Sequence, residues 1–100
     1  VPIFKSMLKD GTTIEDIKKI YKDKYQGPIV NFKEENDESG FISAGAYSDL
    51  DSMEISAFGN EDRIILTARY DNLGKGASGA AIECLNIVLG QDETTGLVIK

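Results

Sequence analysis

The sequence predicts an α+β fold in which a mainly antiparallel sheet carries two helices on one face. Three observations predict it. Met53 to Phe58 and Arg63 to Tyr70 each alternate apolar and polar residues, and the turn Gly59-Asn60-Glu61-Asp62 joins them as an antiparallel hairpin. Ile14, Ile17, Tyr21 and Tyr25 recur along one helical stripe. A second helical pattern, apolar on most faces, runs from about Lys75 to Leu89. Strand, helix, strands and helix in that order suit helices packed on one side of a sheet.

The remaining elements follow in chain order. Ile3 to Leu8 reads as a strand ending at the turn Lys9-Asp10-Gly11. Thr12 and Glu15 have the spacing of a capping box ahead of the first helix, and Gly27-Pro28 ends it. Pro28 to Phe32 reads as a short strand. Lys33 to Gly40 is an acidic, turn-rich run without the alternating ligand spacing of a calcium loop, so a solvated loop is expected. Phe41 to Tyr47 reads as a weak strand, with Gly45 suggesting a bulge. Gly90 fits the stop of the last helix.

Composition narrows the classes of function. The chain has 100 residues, 41% of them hydrophobic and 28% charged, which suits one globular domain with a modest core. A net charge of −6 argues against nucleic acid and anionic membranes as partners. No apolar run is long enough to span a bilayer. The chain opens on Val1, so its natural start is expected to lie upstream. One cysteine forms no internal disulfide, which fits a reducing compartment, most simply the cytoplasm. There is no histidine. Cys84 falls on the apolar stripe of the last helix, where it is expected to be a buried, inert core residue. No metal site is expected.

The segment Asp71 to Ala80 leads from a strand into a helix. Gly76, Gly79 and Ala80 give that helix a strip of very small residues, open to close approach by a backbone or a flat ring. A helix start carries partial positive charge and unsatisfied donors, and the Asn72 carboxamide can donate and accept at once. The spacing matches neither the GxGxxG fingerprint nor the Walker pattern. On the residues alone, tight packing of this helix against the sheet is the simpler explanation. Asn72 could equally cap the helix.

Asp71-Asn72-Leu73, Lys75-Gly76-Ala77, Asn86, Gly90 and Glu93-Thr94 together resemble the C-terminal segment of the N-acetyl-gamma-glutamyl-phosphate reductase family. The resemblance extends to the first helix (residues 9–25) and to the strand near Val30, but residues 70–97 are its specific part. It implies a glyceraldehyde-phosphate-dehydrogenase-like C-terminal domain, with residues 1–100 a partial dimerisation domain and the Rossmann domain elsewhere. In the family a cysteine thiolate attacks an acyl phosphate, NADPH delivers hydride to the resulting thioester, and a histidine serves as acid–base partner. Both catalytic groups would lie outside this chain, so it is expected to be inactive alone and to hold no cofactor. The resemblance implies that Asn72 faces the nicotinamide carboxamide while Gly76 and Ala77 let the helix start approach the cofactor. It also implies self-association through the sheet. Lys75 is expected to be a solvated or inter-domain charge. The family's Gly-Ser-Asn segment has Asp49 where asparagine is usual, which puts contacts of that segment in doubt. A related reductase of carrier-bound aminoadipyl or glutamyl phosphate, and a stand-alone binding or assembly domain, are the alternatives.

Overall fold

The computed structural model describes residues 1–100. Strand β1 (Pro2–Phe4) leads through a 3₁₀ turn to helix α1 (Ile14–Lys24). Strands β2 (Val30–Phe32), β3 (Met53–Gly59) and β4 (Arg63–Tyr70) follow, then a π-helical turn (Gly74–Ser78) and helix α2 (Gly79–Val88). The four strands form one sheet in the order β1-β4-β3-β2.

The β3–β4 hairpin is the sheet's centre. Its register pairs Met53 with Tyr70 and Gly59 with Ile64. Asn60 shapes the turn, its Oδ1 accepting from the N–H groups of Asp62 (2.8 Å) and Arg63 (3.0 Å). β1 joins β4 antiparallel, whereas β2 runs parallel to β3. The sheet is therefore mixed. Parallel neighbours need a long crossover, and Lys33 to Ser52 supplies it.

That crossover is where the expected Phe41–Tyr47 strand fails. Glu38 and Phe41 close a tight turn through the positive-φ pair Ser39 and Gly40 (φ 55° and 86°), and the chain continues in turns to Asp49. Its polar groups are met by side chains rather than by a neighbouring strand. Arg69 donates to the Ser43 carbonyl (2.9 Å) and Lys100 to the Ala46 carbonyl (3.3 Å). The acidic run is not wholly solvated either, since Asn36 turns inward and donates to Glu54 and to Ser56 Oγ (2.6 Å).

α1 starts one residue later than the spacing suggests. Thr13 is the cap and Asp16 its partner: Asp16 Oδ2 accepts from the Thr13 N–H (2.8 Å), and Thr13 Oγ1 accepts from the Asp16 N–H (3.3 Å). This places Ile14 in the first turn, facing the end of β3 at Gly59. Glu15 is left on the surface, 3.6 Å from Lys18. Tyr21 stacks edge-on against Phe32 (centroids 6.3 Å apart), so α1 covers the sheet face that carries Phe32, Ile55, Ala57 and Ile64. The expected strand from Ile3 to Leu8 is also cut short, because the chain tightens into the 3₁₀ turn Lys5–Met7.

The crossover covers part of the opposite face and buries an ionic cluster there. Arg69 donates to Glu54 (2.9 Å), with the two side chains only 13% and 5% exposed. Tyr47 donates its hydroxyl to the other Glu54 oxygen (3.1 Å) and lies under Lys100 (4.6 Å to the ring centroid). Burial, then the Glu54 carboxylate, pushes the Tyr47 hydroxyl up to about 12, so it remains a donor.

α2 departs from the expected layering. It packs mainly on the π turn before it and does not lie on the sheet with α1. Cys84 is exposed rather than core, as are Ala81, Leu85 and Val88 on the same stripe. No helix is long and apolar enough to cross a membrane.

Removing one partner of the buried pair leaves the other charge uncompensated. Arg69→Met is expected to lower unfolding stability by ~3–5 kcal/mol in denaturant titrations. Lys18→Met, at the surface pair, is expected to cost less than ~1 kcal/mol. Equal effects from the two substitutions would contradict the structure.

Candidate functional site

Two aspartates build the approach to α2. Asp71, at the end of β4, turns its carboxylate back on the chain. Oδ1 accepts from the N–H groups of Leu73 and Gly74, both at 2.7 Å, and Oδ2 accepts from the Asp49 N–H at 3.1 Å. Asp49 presents that N–H from a left-handed conformation (φ 61°), which aspartate tolerates better than most residues. The N–H groups of Gly74, then Asp49, then Leu73 hold the Asp71 carboxyl below its usual value.

Asp51 is the second. Its N–H donates to the Val98 carbonyl (2.7 Å) and its Oδ2 accepts from the Val98 N–H (2.9 Å), so the C-terminal tail is stitched to the segment before β3. The same carboxylate rests against Gly79, where an added Cβ would overlap it. A Cβ on Gly74 would overlap the Leu50 carbonyl oxygen. These glycines therefore admit the chain's own backbone and carboxylate. At Gly76 the contacts are looser: a Cβ would stand 3.2 Å from the Asp71 carbonyl oxygen and from the Tyr70 ring.

The expected free donors at this helix start are mostly used internally. Besides the two N–H groups on Asp71, the Lys75 N–H donates to the Leu50 carbonyl (3.4 Å) and the Gly76 N–H to the Asp71 carbonyl (2.9 Å). The helix opens as a π turn, with the Ser78 N–H reaching the Leu73 carbonyl at 3.0 Å. Lys75 forms an ion pair with Glu83 instead of standing free.

Asn72, Gly76 and Ala77 come together at the exposed edge of this turn. A Cβ at Gly76 would lie 3.5 Å from Asn72 Oδ1. The Asn72 side chain makes no hydrogen bond within the chain; the capping role that asparagine could fill belongs to Asp71. Tyr70, 47% exposed, borders the group. Asp51 and Asp71 escape a motif reading that favours glycines and amides. Asp71 carried a usable signal, since an aspartate two and three residues before Leu73 and Gly74 has the spacing of a local side-chain turn.

Further along, Asn86 is buried and donates to the carbonyls of Glu93 (3.1 Å) and Thr95 (2.9 Å). Asp92 Oδ1 accepts from the Thr94 hydroxyl and from its N–H, and these bonds, the hydroxyl's first, hold the Asp92 carboxyl below its usual value. Asn86 and Thr94 thus hold the tail that returns to Asp51. No group of three metal-ligating side chains gathers anywhere in the chain.

The chain that carries this turn and tail is similar to known proteins. The chain is 33% identical over 91 residues to an N-acetyl-gamma-glutamyl-phosphate reductase of Corynebacterium diphtheriae, a match covering 90% of this chain and 26% of the relative. It is 38% identical over 91 residues to reductase 2 of that name from Nostoc sp. (83% of this chain, 28% of the relative) and 35% identical over 96 residues to the Brucella suis protein (91% and 31%). Nearly the whole chain is thus similar in sequence to part of the N-acetyl-gamma-glutamyl-phosphate reductases. No protein-family model matches it. It spans between about a quarter and a third of the length of these reductases.

Two measurements test this geometry. Gly74→Ala forces a side chain onto the Leu50 backbone and is expected to destabilise by ~1–3 kcal/mol, despite alanine's better helix propensity. Gly76→Ala is expected to cost less in the same melts. Acid titration tests Asp71. Its pKa is lower folded than unfolded, so its contribution is full above the ordinary value of 3.8 and is lost as pH falls below it. Asp71→Asn is expected to flatten the fall of melting temperature between about pH 5 and about pH 2. Parallel curves for the two proteins would contradict the assignment.

Proposed function

We propose that the chain is the C-terminal part of an oxidoreductase that converts N-acetyl-glutamyl phosphate to the semialdehyde with NADPH, a step of arginine biosynthesis in the cytoplasm. The observation that carries this reading is the match of nearly the whole chain to reductases of that name.

The residues present fit one end of a nicotinamide cofactor. Asn72 offers an exposed amide with no internal partner, and Gly76 and Ala77 beside it keep the helix start low enough for a flat ring to approach. When bound, the cofactor supplies the hydride. The chain's own part is to orient it: Asn72 pairs with the ring carboxamide and selects the face presented to substrate, and Asp71 fixes the turn on which Asn72 stands. No residue here is assigned as nucleophile or acid–base group, since the chain contains no histidine and its one cysteine stands exposed on α2. The fold is read as the glyceraldehyde-phosphate-dehydrogenase-like partner of a Rossmann domain carried elsewhere in the protein. Exposed Phe4, Phe41, Ile42 and Ile65 around the crossover side of the sheet support self-association through that face.

The decisive experiment is an assay of the longer gene product with N-acetyl-glutamyl phosphate and NADPH. It is expected to turn over, and the 100-residue chain alone is not. Asn72→Ala in the longer protein is expected to lower kcat/KM by ~10- to 100-fold, the size of one lost hydrogen bond to a positioned ligand. Turnover by the 100 residues alone, or an unaffected Asn72→Ala enzyme, would contradict the proposal. Sedimentation is expected to show self-association, weakened by Ile65→Asp.

A further inference from the structure

Three buried side-chain atoms have no hydrogen-bond partner among the protein's own groups: Asn31 Oδ1, Asn36 Oδ1 and Arg69 Nε. Buried polar atoms are nearly always paired, because an unpaired one forfeits the bond it made to solvent. These three belong to one cluster. Asn31 on β2 stands beside Glu54 on β3, and Glu54 stands beside Arg69 on β4. Residues paired across a sheet project from the same face, so all three side chains lie on the face that the crossover covers. Asn36 reaches in from the crossover and donates to Glu54 Oε1 and to Ser56 Oγ (2.6 Å). Arg69 Nη2 donates to the same Glu54 oxygen at 2.9 Å. Asn36 and Arg69 therefore meet on one atom, and each brings one unpaired polar atom to that meeting point.

The bonds already made define what the unpaired atoms require. Arg69 spends Nη1 on the Ser43 carbonyl (2.9 Å) and Nη2 on Glu54, which leaves one N–H at Nε to donate. Turning the Asn36 amide would set its oxygen against the Glu54 carboxylate, so Oδ1 stays the free acceptor. Asn31 Oδ1 is a second acceptor. The cluster thus calls for one small group that accepts once and donates twice. A metal cation suits the two amide oxygens but meets the Arg69 N–H head on. An anion suits that N–H but faces two amide oxygens and a carboxylate. Water has two hydrogens to donate and a lone pair to accept, and about three bonds is the usual complement of a buried water.

We propose that Asn31, Asn36 and Arg69 enclose an internal water that accepts from Arg69 Nε–H and donates to Asn31 Oδ1 and Asn36 Oδ1. The water ties β2, β4 and the start of the crossover together around the buried Glu54. The crossover runs on from there to Asp49-Leu50-Asp51, against which the glycine turn rests. The bridge is thus part of the support beneath the candidate site. It stands on the side-chain bonding alone and does not depend on the reductase reading.

A crystal structure of the 100-residue chain and a water-selective nuclear Overhauser spectrum of the same chain in solution test the bridge. The crystal is expected to show one solvent peak about 2.7–3.2 Å from each of the three atoms. In solution, Arg69 Nε–H is expected to give a cross-peak to a long-lived water. Asn31→Leu keeps the size of the side chain and the Glu54–Arg69 bond, and it is expected to abolish that cross-peak. Direct pairing of Arg69 Nε with either amide oxygen, with no solvent between them, would overturn the proposal. So would a peak with the short distances and ligand number of a metal ion. An unchanged cross-peak in Asn31→Leu would also overturn the three-way bridge. Should that variant fail to fold, the two measurements on the unaltered chain decide the question by themselves.

Discussion

The structure depends on one close approach, that of the glycine turn before α2 to the backbone and carboxylate of Leu50-Asp51. Side chains at Gly74 or Gly79 would occupy space already filled by that segment. Asp71 then ties the turn to Asp49, and Asp51 ties the segment to the tail at Val98. The two aspartates do this with charge-assisted bonds to backbone N–H groups, which are stronger than neutral ones. The result is a rigid corner where the end of β4, the start of α2, the entry to β3 and the C-terminal tail meet.

Two consequences follow from that corner. The small residues that first suggest an open, anion-binding helix start are largely consumed by internal packing, and most of the turn's N–H groups are already paired. What remains available is an amide, Asn72, and a low edge at Gly76 and Ala77. The corner therefore presents a single unpaired polar side chain at its exposed edge, which the proposed function reads as one wall of a site. Such support by a second layer of bonded groups is what precise ligand positioning requires. On the far face of the sheet, the Glu54–Arg69–Tyr47 cluster does a separate job, pinning a long crossover that has no strand pairing of its own.

Much of this was legible in the residues. The hairpin was clear because its alternation is regular and Gly59-Asn60 marks the turn. The stripe of α1 was equally clear, although the cap fell on Thr13 rather than Thr12, since two adjacent threonines offer similar signals. The crossover was misread as strand because its apolar residues, Phe41, Ile42 and Tyr47, are spaced as a strand's would be. Only Tyr47 among them is buried, against the Glu54–Arg69 pair, while Phe41 and Ile42 stay exposed. The parallel placement of β2 depends on that crossover, and local pattern does not encode it. Asn72, Gly76 and Ala77 are named through resemblance to the reductases, while the aspartates that shape the turn beneath them escape that reading, because their role lies in backbone bonds across distant segments. Cys84 was placed in a core on the strength of a stripe that this chain does not cover.

The account's central claim is that the corner is a single rigid unit held by Asp51 and Asp71. Native-state hydrogen exchange on the 100-residue chain tests it most directly. The amides of Asp49, Leu73, Gly74 and Val98 are predicted to exchange as slowly as those in the centre of β3, opening only when the sheet itself opens. Exchange of these four amides at the rates of an unstructured peptide, with β3 still protected, would contradict it.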